Sequence, residues 1–422
     1  MSVEIQPADP THAQDRAHRT AHADKRGSSI DLALTTWQAT KPAPAQTWEG
    51  EHMSDGKWNE LAHKLGRDFA ERARKHDEEG NFVTENYAAL KEAKAFSALV
   101  PAELGGGGAT YAETCDLVRV LGYYCGSTAL AVSMHQHLVA ANVFKHQRGD
   151  TPPVLGKVAA SELVLISTGA GDWVQSNGSA TAVEGGYRIS GRKTFCSGSP
   201  LGDVFVSSIR YEGGPQGPRV LHFPVPVKAE GVQLLDDWNT LGMRGTGSQS
   251  VVFENVFIPE AAVALDREPG WHPIWNVVVG VAPPIYMAAY LGIAESTADR
   301  ALARARSQAE RTSPALVGEL INARTEAQLA FEDMVNRVGN LNFTPSEANS
   351  SAQLVRKTLV AKAAKRTVEL SCELEGGAAF FRTSELERAF RDIQAAHFHP
   401  LPERRQHVFS GLVELGLDPA SA

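Results

Sequence analysis

Ser190 to Pro200 reads SGRKTFCSGSP, and its tip gathers what a flat heteroaromatic ligand needs. Phe195 offers a ring face. Ser197 and Ser199 offer hydroxyls for the ligand's edge atoms. Gly198 lets the main chain come close, because no side chain stands in the way. Two His-x-His pairs lie elsewhere, His135 with His137 and His397 with His399. An imidazole gives or takes a proton near neutral pH. Such pairs also invite a metal reading, but residues two apart on a helix face different ways, and no third ligand is evident in the sequence. No metal site is therefore assigned. Arg244 is a cation suited to an anionic group or to anchoring its own loop. Trp173 and Trp238 are candidates for the wall of an apolar pocket.

The elements that must position these residues follow from the pattern of the chain. Its 422 residues suffice for two or three domains, and 43% hydrophobic content allows a large core. A net charge of −8 argues against a general nucleic-acid binder. Cys115, Cys125, Cys196 and Cys372 form no CxxC pair, which points to a reducing, cytoplasmic setting rather than a disulfide framework. There is no secretory h-region, and the most apolar run, Val277 to Ala294, is interrupted by Pro283 and Pro284. We read that run as a buried bundle helix rather than a membrane span.

Residues 1–52 are polar, lack a sustained period and are expected to be disordered or a leader segment. Residues 53–155 carry apolar positions at helical spacing and predict a helical domain. From 156 to 270 the period falls to two, and segments such as DVFVSSIRY and SVVFENVFIP predict a small barrel or sandwich. Residues 271–422 return to long amphipathic segments, which predict a helical bundle. Gly376 and Gly377, at the end of one such segment, suit either a helix C-cap or a close approach to a phosphate or a neighbouring subunit.

This order of domains, with its motifs, resembles the acyl-CoA dehydrogenase superfamily of flavoproteins over roughly 53–417. Ile166-Ser167-Thr168-Gly169-Ala170-Gly171-Asp172 looks like the family's segment beside the flavin, which makes Ser167 and Thr168 expected flavin contacts. Phe195-Cys196-Ser197-Gly198 falls where the family usually has Trp-Ile-Thr-Asn against the isoalloxazine. Leu241 to Ser248, followed by VVFENVFIP, resembles the end of the family's β domain. Glu375-Gly376-Gly377 and Phe390-Arg391-Asp392 resemble the last bundle helices. The resemblance implies an α+β fold with an N-terminal helical domain, a middle β-barrel or sandwich and a C-terminal four-helix bundle. It also implies a homotetramer with flavin at the junction of β domain and bundle.

Two departures narrow the reading. Pro400 stands where many of the family's dehydrogenases carry a catalytic Glu, and a proline cannot be a base. Arg311-Thr312-Ser313-Pro314 replaces the usual adenine-gripping Arg-x-x-Phe-Gly, which leaves FMN and FAD both open. Both departures resemble the reduced-flavin monooxygenases of the superfamily, the branch acting on dibenzothiophene or phenols. That branch has an aromatic followed by Cys-Ser-Gly, a His on an N-terminal helix and a His just past the Arg-Asp pair. Ser197, His137 or His135, and His399 or His397 answer to those places. The resemblance implies that Ser197 accepts the flavin N5–H and so protects a C4a-hydroperoxide, while histidine serves a small apolar or aromatic substrate as acid or base. No GxGxxG follows a strand, so a separate flavin reductase is expected to supply the reduced flavin. The other readings are an acyl-CoA dehydrogenase with a displaced base (Glu373, Glu375 or Glu403) and a non-catalytic binding module.

Overall fold

The computed structural model describes residues 56–169 and 174–419. The expected leader 1–52, Trp173, and Ala170 to Asp172 of the proposed flavin segment lie outside the described residues.

Five helices come first: α1 (Lys57–Glu79), α2 (Thr84–Glu92), α3 (Tyr111–Tyr124), α4 (Gly126–His146) and α5 (Val154–Ser161). Their ends are marked in the sequence. Gly80 closes α1 in the left-handed conformation, and Thr110 with Glu113 forms a reciprocal capping box at the start of α3. Eight strands follow: β1 (Leu165–Ser167), β2 (Ser179–Val183), β3 (Gly186–Cys196), β4 (Val204–Tyr211), β5 (Arg219–Pro226), β6 (Val232–Leu234), β7 (Gln249–Pro259) and β8 (Leu265–Arg267). They run β6-β7-β3-β2-β4-β5-β8, with β1 parallel to β4. Between β2 and β4 a single residue pair, Ala180 with Tyr211, joins two halves. Ile189, Phe205, Phe223, Val251 and Phe253 fill the core of this domain.

The last part holds α6 (Pro273–Ser307), α7 (Pro314–Val338), α8 (Glu347–Glu375), α9 (Glu385–Asp392) and α10 (Glu403–Glu414). Ser313, Ser346 and Ser384 cap α7, α8 and α9 with their hydroxyls. The prolines do not interrupt α6, contrary to the expectation above. It runs 35 residues straight through Pro283 and Pro284. Its apolar window is long enough for a membrane and is 94% buried by the surrounding protein. Neighbouring helices therefore cover it on all sides, and packing outweighs the lost helical hydrogen bonds.

Helix α6 is also the contact between the first helices and the bundle. A Cβ added at Gly122 of α3 would lie 2.4 Å from Ala289 O, and one at Gly292 of α6 would lie 2.0 Å from Arg119 O. Only glycine permits these backbones to touch. Arg119 then bridges Asp116 and Glu295 at 2.6 and 2.9 Å across the seam.

Candidate active site

The edge of the β domain, α4, α6 and the segment after α9 enclose a cavity of about 610 Å³. That volume falls within the roughly 300–1,000 Å³ of sites that bury a small organic ligand. Ser167, Thr168, Phe195, Ser197, Ser207 and His222 line it from the β side. Leu130, Met134 and His137 come from α4, Tyr286 and Tyr290 from α6, and Phe398 and His399 from beyond α9.

Phe195 is half-exposed and meets Trp238 edge to face at 5.6 Å. The Trp238 indole N–H donates to Met243 O at 3.0 Å. Beside this aromatic wall runs a chain of hydroxyls: Ser197 Oγ to Ser248 Oγ at 2.7 Å, Ser248 Oγ to Thr246 Oγ1 at 2.7 Å, and Thr246 Oγ1 to Met243 O at 2.9 Å. Thr168, buried, bonds Val206 O and Ser207 Oγ through its hydroxyl.

The opposite wall carries the histidines. His399 is stacked on Tyr286, with centroids 4.6 Å apart, and its Nε2 lies 2.7 Å from the Tyr290 hydroxyl. Burial pushes its pKa down to about 3, and the Lys357 ammonium and His137 push in the same direction. Lys357 is itself buried and donates to His399 O and Leu401 O at 3.0 and 3.1 Å, which fixes the loop that presents His399. Burial lowers its pKa to about 8. His137 Nδ1 lies 3.3 Å from Ser133 O. A carbonyl only accepts, so Nδ1 carries the proton and Nε2 keeps its lone pair. Burial lowers His137 to about 4. Both imidazoles are therefore neutral at pH 7.

The structure does not bring the other predicted residues into the cavity. His135 braces the fold: its Nε2–H donates to Phe96 O and its Nδ1 accepts from Leu165 N–H, each at 2.9 Å. His397 is half-buried and absent from the cavity wall. The Cys196 side chain lies within the β-domain core and not against the cavity. Arg244 donates to Asp77 O at 2.7 Å and Thr240 O at 3.3 Å, so it ties the loop before β7 to the end of α1 rather than facing a substrate. Gly376 and Gly377 end α8 in open space, with no atom within 4 Å of an added Cβ at either. Among the candidate bases of the dehydrogenase reading, Glu403 pairs with Lys362 at 2.6 Å and Glu375 with Arg304 at 3.0 Å. Among the described residues, no carboxylate lines the cavity.

Several wall residues were not singled out from sequence. Tyr286 and Tyr290 stand four apart on α6, which puts both on one face. In a run of apolar residues that spacing reads as core. His222 lies on β5; its Nε2 accepts from Arg267 at 3.0 Å, and burial followed by the Arg267 charge lowers it to about 3. Ser248 had a signal, since it ends the quoted Leu241–Ser248 segment, but its link to Ser197 is a tertiary fact.

Three family models match in order: the acyl-CoA dehydrogenase N-terminal domain over 56–147, the middle domain over 167–256 and the C-terminal domain over 285–403. The chain belongs to the acyl-CoA dehydrogenase family. Dibenzothiophene monooxygenase of Mycolicibacterium goodii is 26% identical over 373 residues, covering 81% of this chain and 85% of that protein. SfnC of Pseudomonas putida, described as a probable FMNH2-dependent monooxygenase, is 28% identical over 245 residues, covering 57% of this chain and 60% of its own. KijD3 solved in complex with FMN and dTDP-3-amino-2,3,6-trideoxy-4-keto-3-methyl-D-glucose has the same fold, with a TM-score of 0.76 at 24% identity over 87% of this chain and 96% of that one.

Proposed function

We propose that this protein is a flavin-dependent monooxygenase that uses reduced flavin and O2 on a small apolar or aromatic substrate. One observation carries the reading above all. The cavity presents a serine hydroxyl beside an aromatic wall on one side and two neutral imidazoles on the other, with no carboxylate among its described residues. Many of the family's dehydrogenases use a catalytic carboxylate to remove the substrate α-proton, and the described cavity residues offer none. Relatives named as dibenzothiophene and FMNH2-dependent monooxygenases support the same choice.

Reduced flavin, when bound, supplies the two electrons that let one oxygen atom enter the substrate while the other leaves as water. The protein's own residues prepare that chemistry. Phe195 and Trp238 offer the face for the ring system. Ser197, Ser167 and Thr168 offer polar atoms to its edge. Leu130, Met134 and Phe398 keep the cavity poor in water. His399 and His137, neutral at working pH, accept a proton from a substrate heteroatom. Tyr290 stays protonated, because burial raises its pKa well above the usual value, and its hydroxyl orients the His399 ring.

A separate flavin reductase is the expected partner. We also assign the exposed Phe380 and Phe381, at 92% and 68% of full exposure, to subunit contacts in a homotetramer. A cytoplasmic location suits a chain whose four cysteines form no CxxC pair.

Stopped-flow spectroscopy tests the function. Protein mixed with anaerobically reduced FMN or FAD and then with oxygenated buffer should delay the return of oxidised-flavin absorbance relative to free flavin. Reoxidation as fast as in buffer, with bleaching of bound flavin by an acyl-CoA, would overturn the reading in favour of a dehydrogenase.

A further inference from the structure

The hydroxyl chain beside Phe195 has a direction. Thr246 Oγ1 lies 2.9 Å from Met243 O, and two oxygens at that distance repel unless a proton lies between them. The carbonyl has none to give, so Thr246 donates. A hydroxyl carries one proton, so the 2.7 Å bond between Thr246 and Ser248 must use the proton of Ser248. The 2.7 Å bond between Ser248 and Ser197 must then use the proton of Ser197. Every proton in the chain points away from Ser197. Ser197 is left with lone pairs facing the space it lines. Thr246 is fully buried, and Ser248, which also touches the cavity, is held by two 2.7 Å contacts within the chain. The terminal acceptor is also held in place, because Met243 N donates to the buried Asp392 carboxylate at 2.5 Å and Met243 O receives the Trp238 indole.

We infer that Thr246 and Ser248 are positioning residues that fix Ser197 as an acceptor, so that the site selects the flavin redox state bearing N5–H. This rests on the flavin reading above and deepens it. Reduced flavin has a hydrogen at N5 and meets a lone pair. Oxidised flavin has a lone pair at N5 and meets another. The pair therefore favours reduced over oxidised flavin by about tenfold, the scale of one hydrogen bond made against one refused. The selectivity is written in the proton order of three side chains and needs no further contact.

The test is anaerobic equilibrium titration of the whole protein with oxidised and with dithionite-reduced FMN, repeated with FAD. The readout is the ratio of the two dissociation constants, with the midpoint potential of the bound flavin as an independent measure. In wild-type protein the ratio should favour reduced flavin. In Ser248→Ala the Ser197 proton loses its acceptor and turns freely, so the preference should fall about tenfold and the potential should drop towards that of free flavin. Ser248→Thr keeps the hydroxyl and should restore both. Thr246→Val, nearly the same shape, should move the ratio in the same direction as Ser248→Ala. If the variants bind reduced flavin with undiminished preference, the relay is overturned and the flavin reading stands. If wild-type protein binds neither flavin in either state, the functional reading itself fails and takes the relay with it.

Discussion

The two His-x-His pairs look alike in sequence and come apart in the same way for different reasons. In α4, His135 and His137 are a little over half a turn apart, so one turns to the β domain's first strand and the other to the cavity. His135 spends both nitrogens on main-chain groups. His137 spends only Nδ1, on its own helix. The second pair lies where regular helix has ended. His397 lies in the 3₁₀ segment Ile393–Phe398, and His399 begins an extended stretch that Lys357 pins from beneath. One pair is sorted by helical geometry, the other by a buried lysine. The lesson is that the wall a histidine reaches, rather than its spacing in the sequence, marks it as available for chemistry: His137 and His399 line the cavity and their neighbours do not.

That contrast can be broken, starting with its most exposed claim. His399→Ala should cut substrate oxygenation per reduced flavin consumed by about 10²- to 10⁴-fold, with little change in the denaturation midpoint. A loss of stability with activity per folded molecule intact would make His399 another brace. His137→Ala should reduce oxygenation by about 10- to 100-fold, with a similarly small structural effect. His135→Ala should do the reverse. It leaves Phe96 O and Leu165 N–H unpartnered in the interior, costing about 2–5 kcal/mol in urea denaturation while surviving protein turns over normally. A smaller effect sharpens the electrostatic side. Lys357→Met removes the charge that helps hold His399 down, so the acid limb of the pH–rate profile should move upward in pH. Smallest of all, His397→Ala should change neither turnover nor stability by more than about twofold or 0.5 kcal/mol.

Acidification tests the same imidazoles together. His135, His137, His222 and His399 have folded pKa values pushed to about 3 or 4, below the unfolded value near 6.5. Between those limits the unfolded chain binds more protons. Stability is therefore fully present above about pH 6.5 and is lost as pH falls towards 4. A urea midpoint that stays level from pH 7 to pH 5 would show that these side chains are wetter than their surroundings imply.

The sequence made the fold legible because its signals were local and repeated. The helical spacing of apolar residues, the change of period at the β domain and the five family motifs all survive as runs of neighbours. The continuity of α6 was not legible, since whether Pro283 and Pro284 end a helix depends on what packs around them. The site divided along the same line. Phe195, Ser197, Thr168 and Ser167, which line the cavity, could be singled out because they sit in short motifs at strand ends. Arg244 misled because an arginine in a glycine-rich loop looks the same whether it greets a substrate or grips a main-chain carbonyl. Tyr290 and Lys357 were missed because each matters through one partner more than 40 residues away.

Asp77 lies in the last turn of α1, yet its charge is met from the far end of the chain. Arg391 of α9 binds both its oxygens, at 2.8 and 2.5 Å, and holds Leu241 O with the same guanidinium. A ribosome making this protein releases Asp77 long before Arg391 exists. Until the last few dozen residues emerge, the first helices carry an uncompensated carboxylate where the finished molecule is closed to water, and the nascent chain has reason to keep that seam open. Arg391→Met should accordingly cost about 3–5 kcal/mol in urea denaturation, far more than a change at an exposed arginine, and a helper that shields half-made chains should linger until this arginine arrives.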